Sequence, residues 1–400
     1  MHKEALRREI SQQEISRQEI FDKEILHKRD IFYLPKRNPA SHKGSYGKCL
    51  IIAGAEGMAG AAYFAALSAY RSGAGLIKLC TARENQGILQ SLIPEAILLS
   101  FPKGEKDFAN FEKAMEWADF LLFGPGMGTE EESKRLLQRV LERGKVPLLI
   151  DADGLNLLSS NSALQALSKD YGRDKLLFLT PHLMEFSRLS GLELREIEKR
   201  GEEIAKSFGK EYHCVLLLKS HKTSVISPEG ELFYRREKSC GALSKGGSGD
   251  VFAGSLAGIF LILEEERRRN AVLALEERKQ TPLLALEEEK RENSALALEE
   301  ERRENSALAL EEERRESSAL ALEEERRESS ALASEEQRKV LKENSEQGCI
   351  AALLACEAQI LAGELAKEEW GEHGVLARDI ANTMGKALTV LEEQGVKKRT

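Results

Sequence analysis

The sequence predicts an α/β protein built on a doubly wound, mainly parallel sheet with helices on both faces. Two observations carry that expectation. Short apolar runs, Cys49–Ala53, Leu76–Cys80, Phe120–Phe123, Leu148–Ile150, Leu176–Leu179 and Val215–Leu218, alternate with segments of helix length. Runs that are apolar throughout, rather than at every second residue, are the pattern of strands covered on both faces. The second observation is where the distinctive residues fall. Gly54, Gly124–Gly128, Asp151, Pro181–His182 and Lys219 lie just after such runs, and open α/β sheets collect ligands beyond the C-terminal ends of their strands.

Composition sets the domain count. Of the 400 residues, 264–347 form a run of Glu, Arg, Ala, Leu, Ser and Asn with 25 acidic and 16 basic side chains, against a net charge of −8 for the whole chain. The remainder is therefore nearly neutral, and no basic face for nucleic acid is expected. Setting this run aside, with the charged extension 1–40, leaves one large catalytic domain over 41–263 and 348–395. The longest purely apolar stretches, such as Leu256–Leu263, are shorter than the roughly 18 residues that span a bilayer, so no membrane helix is expected. Met1–Ile31 lacks the apolar core of a secretory signal. Cys49, Cys80, Cys214, Cys240, Cys349 and Cys356 include no CxxC pair, which argues against a disulfide framework and a zinc site and points to a reducing cytoplasm. No metal-ligating set is assigned.

Two repeats flank or interrupt the domain. Ile10, Ile15, Ile20 and Ile25 each follow a Glu at five-residue spacing, which rotates successive isoleucines by about 140° and gives no helical face. A 12-residue unit recurs from about Leu284 to Ala333. Its composition favours helix, but a 12-residue period moves each Leu-Ala-Leu cluster by about 120° and builds no continuous seam. A solvated, partly helical insertion is expected, with a partner-binding arm as the alternative.

The strongest chemical signal is Gly241-Ala-Leu-Ser-Lys-Gly-Gly-Ser-Gly-Asp250, followed by the helical run Val251–Leu263. Gly246, Gly247 and Gly249 let backbone approach an anion, and the amides opening the next helix would point at a phosphate. Asp250 reads either as a carboxylate stabilised by the helix dipole or as a general base toward a substrate hydroxyl. Nucleotide signatures of the P-loop and Rossmann kinds are missing from the chain. Ala53–Ala62 and Gly124–Gly128 are small-residue loops suited either to a bulky ligand or to a tight turn. His182 follows Pro181 at a strand end, and Lys219-Ser-His-Lys-Thr223 turns from Val215–Leu218 toward Val225-Ile226 as in a hairpin. Such a turn can clamp a phosphate or ribose, or can simply be solvated.

Taken in order, these motifs resemble the ADP/ATP-dependent NAD(P)H-hydrate dehydratases of the ribokinase-like superfamily. The carriers are Ser41-His-Lys-Gly-Ser-Tyr-Gly47, Ala59-Gly-Ala-Ala62, Arg71-Ser-Gly-Ala-Gly75, Gly124-Pro-Gly126, Asp151-Ala-Asp153, Leu179-Thr-Pro-His182, Leu218-Lys219, Lys245-Gly-Gly-Ser-Gly-Asp250 and Gly374-Val-Leu-Ala-Arg-Asp379. The resemblance implies a three-layer α/β/α sandwich and the repair of hydrated NADH and NADPH. Asp250 would deprotonate the C6 hydroxyl, ADP or ATP would phosphorylate it with Mg²⁺, and phosphate would leave by elimination. By the same resemblance Ala62, Gly126, His182 and Asp250 would contact the hydrated dinucleotide. Lys219, Ser220, His221, Lys222, Thr223 and Gly249 would form the adenine nucleotide site. It further implies a homotetramer and, because residues 1–40 are too short to be the epimerase domain that many bacterial relatives carry, a separate epimerase as functional partner. ADP is the expected donor.

The chain departs from the family pattern at Ser239-Cys240, where Gly-Asn is usual, a loss of an amide that would weaken activity. An ATP-dependent kinase of a small hydroxylated vitamin precursor is the alternative that would also use Asp250. Ser41–Gly47 and His182 are the features expected to separate the two, through a pocket for a second dinucleotide. A scaffold built around the repeat is the non-enzymatic alternative.

Overall fold

The computed structural model describes residues 34–236, 239–280 and 313–397. The Ile repeat at 10–25 and the repeat units within 281–312 lie outside these residues. The chain divides into two compact units, residues 1–265 with 344–400, and residues 266–343.

The first unit holds a nine-stranded sheet in the order β3-β2-β1-β4-β5-β6-β7-β8-β9. Its strands are β1 (Lys48–Ile52), β2 (Leu76–Thr81), β3 (Ile97–Ser100), β4 (Phe120–Phe123), β5 (Leu148–Ile150), β6 (Leu177–Leu179), β7 (Cys214–Leu218), β8 (Ser224–Ile226) and β9 (Leu232–Arg235). Pairing is parallel from β3 through β7, while β8 and β9 are antiparallel. The apolar runs behave as expected of strands with two covered faces. In β1, Cys49 and Ile51 join one core cluster, and Leu50 and Ile52 join the other.

One core layer is formed with α1 (Ala59–Arg71), the start of α9 (Ser248–Gln280), the end of α10 (Glu313–Trp370) and α11 (Ala377–Lys397). The opposite layer takes α3 (Glu105–Trp117), α4 (Glu131–Arg143), α5 (Asp153–Ser159), α6 (Ser162–Asp174), α7 (Leu183–Ser190) and α8 (Leu194–Tyr212). A short α2 (Gln86–Leu92) links β2 to β3. Small residues let α1 and α9 meet closely: a Cβ on Gly254 would lie 2.1 Å from the Ala65 carbonyl oxygen, and one on Gly258 would lie 2.6 Å from that of Ala69.

The stretch Lys339–Trp370 is apolar enough by length and composition to cross a membrane, contrary to the expectation from uninterrupted apolar runs, but two thirds of its apolar window is buried within the protein. Leu, Ile, Ala and Cys supply this hydrophobicity between scattered polar residues. The buried carboxylate of Glu357 accepts hydrogen bonds from Tyr234 and pairs with Arg236, joining α10 to β9 and the chain beyond it.

In the second unit the described residues are helical, as parts of α9 and α10. Val272, Leu273 and Val340 are exposed there. An i,i+3 ion pair, Arg269 with Glu266 at 3.9 Å, is of the kind that supports solvated helix weakly.

Candidate active site

The sheet order reverses between β1 and β4, and a crevice opens at such a switch point. Here the loops after those strands are tied together. Gly54 N–H donates to the Pro125 carbonyl at 2.9 Å, and Ala55 N–H donates to that of Gly126 at 2.7 Å. Gly126 needs its glycine twice over: its φ is +59°, and a Cβ would lie 2.7 Å from that of Ala61. Ala62 is fully buried, with its methyl beneath Gly54.

Two carboxylates, Asp151 and Asp153, follow β5. Asp151 is 1% exposed; its Oδ1 accepts from Thr180 Oγ1 and from Lys219 Nζ, both at 2.7 Å. Asp153 Oδ2 accepts the Gly128 amide at 2.8 Å. Between them Ala152 is held at φ +51°, ψ −121°, a backbone region that an L side chain adopts only at a cost. Ala152→Gly is therefore expected to raise stability by about 1 kcal/mol, after allowing for the added freedom of glycine in the unfolded chain. Chemical denaturation with an unchanged m-value checks it.

Lys219 follows β7 and lies beside His182, in an isolated parallel bridge, and its amide donates to the Pro181 carbonyl at 2.8 Å. Although burial opposes its charge, Asp151 and Glu185 hold the Lys219 ammonium more firmly protonated than usual. His182 caps α7. Its Nδ1 accepts the amides of Met184 and Glu185 at 3.1 and 3.2 Å, while Glu185 returns a bond to the His182 amide at 2.9 Å. This capping box explains the His-x-x-Glu spacing. Burial, then Lys219, lowers the His182 proton affinity. Glu185 is buried, and desolvation pushes its carboxyl up to about 7 despite Lys219. Glu185 is a site residue that the sequence motifs do not single out; its i,i+3 spacing from His182, the capping-box pattern, is the one signal that marks it.

The glycine loop faces this group. Gly247 takes φ +90°, and a Cβ there would strike the Phe64 ring at 2.7 Å, whereas Cβ positions on Gly246 and Gly249 meet only open space. Asp250 stands in the first turn of α9. Its carboxyl is pushed up to about 7 by burial first and by Asp151 and Asp153 after it, with Lys219 acting the other way. Asp250, Asp151, Asp153, Lys219, Glu185 and His182 thus form one electrostatic neighbourhood.

In the hairpin turn, Ser220 Oγ bonds the Lys222 carbonyl and amide at 2.6 and 2.9 Å. Thr223 Oγ1 bonds the Ser220 carbonyl at 3.4 Å. His221 and Lys222 are exposed. A self-bonded turn of this kind is ready before any ligand arrives.

Ser41–Gly47 is elsewhere. It precedes β1, at the end of the strand opposite Gly54, and serves there as a tie: Tyr46 and Gly47 carbonyls accept the amides of Gly75 and Leu76 at 3.0 and 3.2 Å. Arg37 lies 4.1 Å over the Tyr46 ring. Within this chain the motif lies at the opposite strand end from the Asp250 site. A cavity of about 260 Å³ lies at the β2–β3 edge, between Arg83, Phe101, Lys103 and Phe111, and shares no residue with the site.

A parallel sheet closed by an antiparallel hairpin, with a glycine loop feeding a carboxylate at a helix start, defines a ribokinase-like protein. A ribokinase-like superfamily protein from Enterococcus faecalis V583 is similar to it, 28% identical over 60% of this chain and 79% of that one, at a TM-score of 0.51. The ADP/ATP-dependent NAD(P)H-hydrate dehydratase from Bacillus subtilis, co-crystallized with ATP/Mg²⁺, shares the fold at 22% identity and TM-score 0.58 over 90% of this chain and 95% of its own. The family model of NAD(P)H-hydrate dehydratase matches residues 49–303, more than half of the chain, and the chain belongs to that family. The ADP-dependent (S)-NAD(P)H-hydrate dehydratase of Bacillus subtilis is 32% identical over 58% of this chain and 79% of its own length. The bifunctional NAD(P)H-hydrate repair enzyme Nnr of Moorella thermoacetica is 35% identical over 56% of this chain. The chain spans about two fifths of the length of such bifunctional relatives.

Proposed function

We infer that the site dehydrates the S epimer of hydrated NADH and NADPH, restoring the dihydronicotinamide, with ADP as phosphoryl donor. The observation that carries this reading is Asp250, whose carboxyl is held near the pH of its work, about 7, beside a glycine loop that opens on free space. A general base works best when its proton affinity lies near the operating pH. In this reading Asp250 takes the proton of the C6 hydroxyl, and that oxygen bonds to the terminal phosphorus of the nucleotide as the bond to the bridging oxygen breaks. AMP departs; phosphate then leaves C6 as the ring-nitrogen lone pair forms N1=C6, and loss of a C5 proton to the departing phosphate or to water restores the C5=C6 double bond and returns the lone pair to nitrogen. The amides around Gly249 and the Lys219 ammonium steady the phosphate charge. Gly126 and His182 border the dinucleotide, and Lys219–Thr223 the adenine nucleotide.

Among the described residues no group of three or more His, Cys, Asp or Glu side chains could hold a metal by itself. Mg²⁺ does not require such a group, since it keeps waters and takes few carboxylates beside substrate phosphates. When bound it would neutralise phosphate charge, with Asp151 and Glu185 as its supports. A homotetramer in a reducing cytoplasm, supplied by a separate epimerase, completes the proposal. Six buried cysteines, none of them in a disulfide, support the compartment, and the exposed Ile88, Leu92 and Ile97 near the sheet edge support self-association.

The test is recovery of dihydronicotinamide absorbance from purified hydrated NADH with ADP, with ATP and with neither. Recovery that requires ADP is expected; none with either nucleotide, from folded protein, would overturn the reading and favour a kinase of a small alcohol. Replacing residues 266–343 by a short Gly-Ser linker is expected to keep turnover within about threefold, since loop length affects closure entropy only slowly. Loss of turnover by the folded deletion variant would instead tie the repeat to catalysis.

A further inference from the structure

The segment that returns after the repeat braces the glycine loop. Lys245 Nζ donates to the His373 carbonyl at 2.9 Å. A Cβ on Gly363 would lie 2.9 Å from Leu243 and 3.1 Å from Cys240 Sγ, so α10 closes on the loop where a side chain is missing. One contact reaches the loop's far end: Gln359 Nε2 donates to the Ser248 carbonyl at 2.7 Å. A carbonyl can only accept, so the amide nitrogen is the atom that belongs there.

The Ser248 carbonyl and the Gly249 N–H are two ends of one planar peptide. A bond that fixes the oxygen therefore fixes the direction of the N–H. That N–H is among the first of α9 and has no acceptor within the helix, and it belongs to the residue whose Cβ position is open space. Hydrogen bonds in series also polarise one another, so a donor on the Ser248 oxygen makes Gly249 a stronger donor in turn.

We propose that Gln359 is a positioning residue, which holds the Ser248 carbonyl and thereby aims the Gly249 N–H at an oxygen of the phosphoryl group being transferred. This rests on the phosphoryl-transfer reading above. Gln359 touches no reacting atom; it acts through one peptide. Its place in the sequence, beyond the repeat, means that the loop is completed only when the C-terminal segment docks.

Two variants and two readouts test this. Gln359→Met keeps the length and removes the donor. Gln359→Glu also removes it at high pH but regains an O–H donor when protonated. With hydrated NADH and ADP, kcat of Gln359→Met is expected to fall about tenfold, less than for loss of a direct oxyanion donor, with KM within about twofold. The ratio of Gln359→Glu to wild-type kcat is expected to climb as pH falls, while that of Gln359→Met stays flat. Separately, the Gly249 amide resonance is expected to move upfield in Gln359→Met, with or without turnover. Wild-type kcat in both variants, or a pH-independent deficit in Gln359→Glu, would overturn the proposal. If the wild type turns nothing over, the functional reading fails and the resonance alone decides: displaced, the peptide contact stands; unmoved, it is wrong.

Discussion

Asp250→Asn is expected to lose at least about a thousandfold in turnover with hydrated NADH and yet, at pH 8, to unfold later than the wild type. The two halves have one cause. Burial and the neighbouring Asp151 and Asp153 raise the Asp250 carboxyl to about 7. Its folded proton affinity therefore exceeds that of the unfolded chain, where a carboxyl titrates at about 4. Between those values the folded state holds a proton that the unfolded state has released, so wild-type stability falls as pH rises through this window and stays low above about 7. The amide has no proton to lose. The advantage of the variant is expected to be absent below about pH 4 and to level off above about pH 7, at about 1–2 kcal/mol once partial exposure is allowed for. Wild-type turnover should rise with pH over the upper part of the same window. Denaturant titrations of both proteins at pH 4, 6 and 8 give the first curve; a variant no more stable at pH 8 than at pH 4, relative to wild type, would contradict the burial argument.

Lys219→Met is expected to act in the opposite direction on stability, costing about 3–5 kcal/mol at pH 8. It strands Asp151, which is 1% exposed and would keep only Thr180 of its two side-chain donors. The companion Asp151→Asn change, made with Lys219→Met, should recover most of the loss, because removing both charges avoids the unpaired one. Lys219 also lowers the proton affinities of Asp250 and Glu185. Without it, whatever turnover survives should need a higher pH, and ADP should bind more weakly, as calorimetry would show.

The sheet was legible where burial on both faces left uninterrupted apolar text, as in Phe120–Phe123 and Val215–Leu218. It was not legible at its margins. Ile97–Ser100 and Leu232–Arg235 are edge strands with partly exposed residues, and four half-covered residues carry too little pattern to separate from a loop. In the site, the glycine spacing before Asp250 pointed to an anion loop because glycine leaves a mark in the sequence when backbone must come close. Glu185 left a weaker mark, since a capping-box carboxylate is common at helix starts. Gln359 left none: its partner is a backbone carbonyl, which any residue supplies, and the repeat separates the two in sequence. Ser41–Gly47 shows the converse, a sharp motif whose work in this chain is to tie the entrances of β1 and β2.

All six cysteines are buried and none is in a disulfide. Burial pushes Cys49, Cys80 and Cys214 far above the usual thiol range, and Cys240 and Cys356 up to about 11 and 12. Alkylating reagents attack thiolates and need access, so the native protein should be almost inert to them. Each modification then records an opening event, and because the thiols sit on β1, β2, β7, the glycine loop and α10, mass spectrometry of labelled peptides would time the opening of each region separately. The chain carries its own set of clocks for local unfolding, with no probe engineered in.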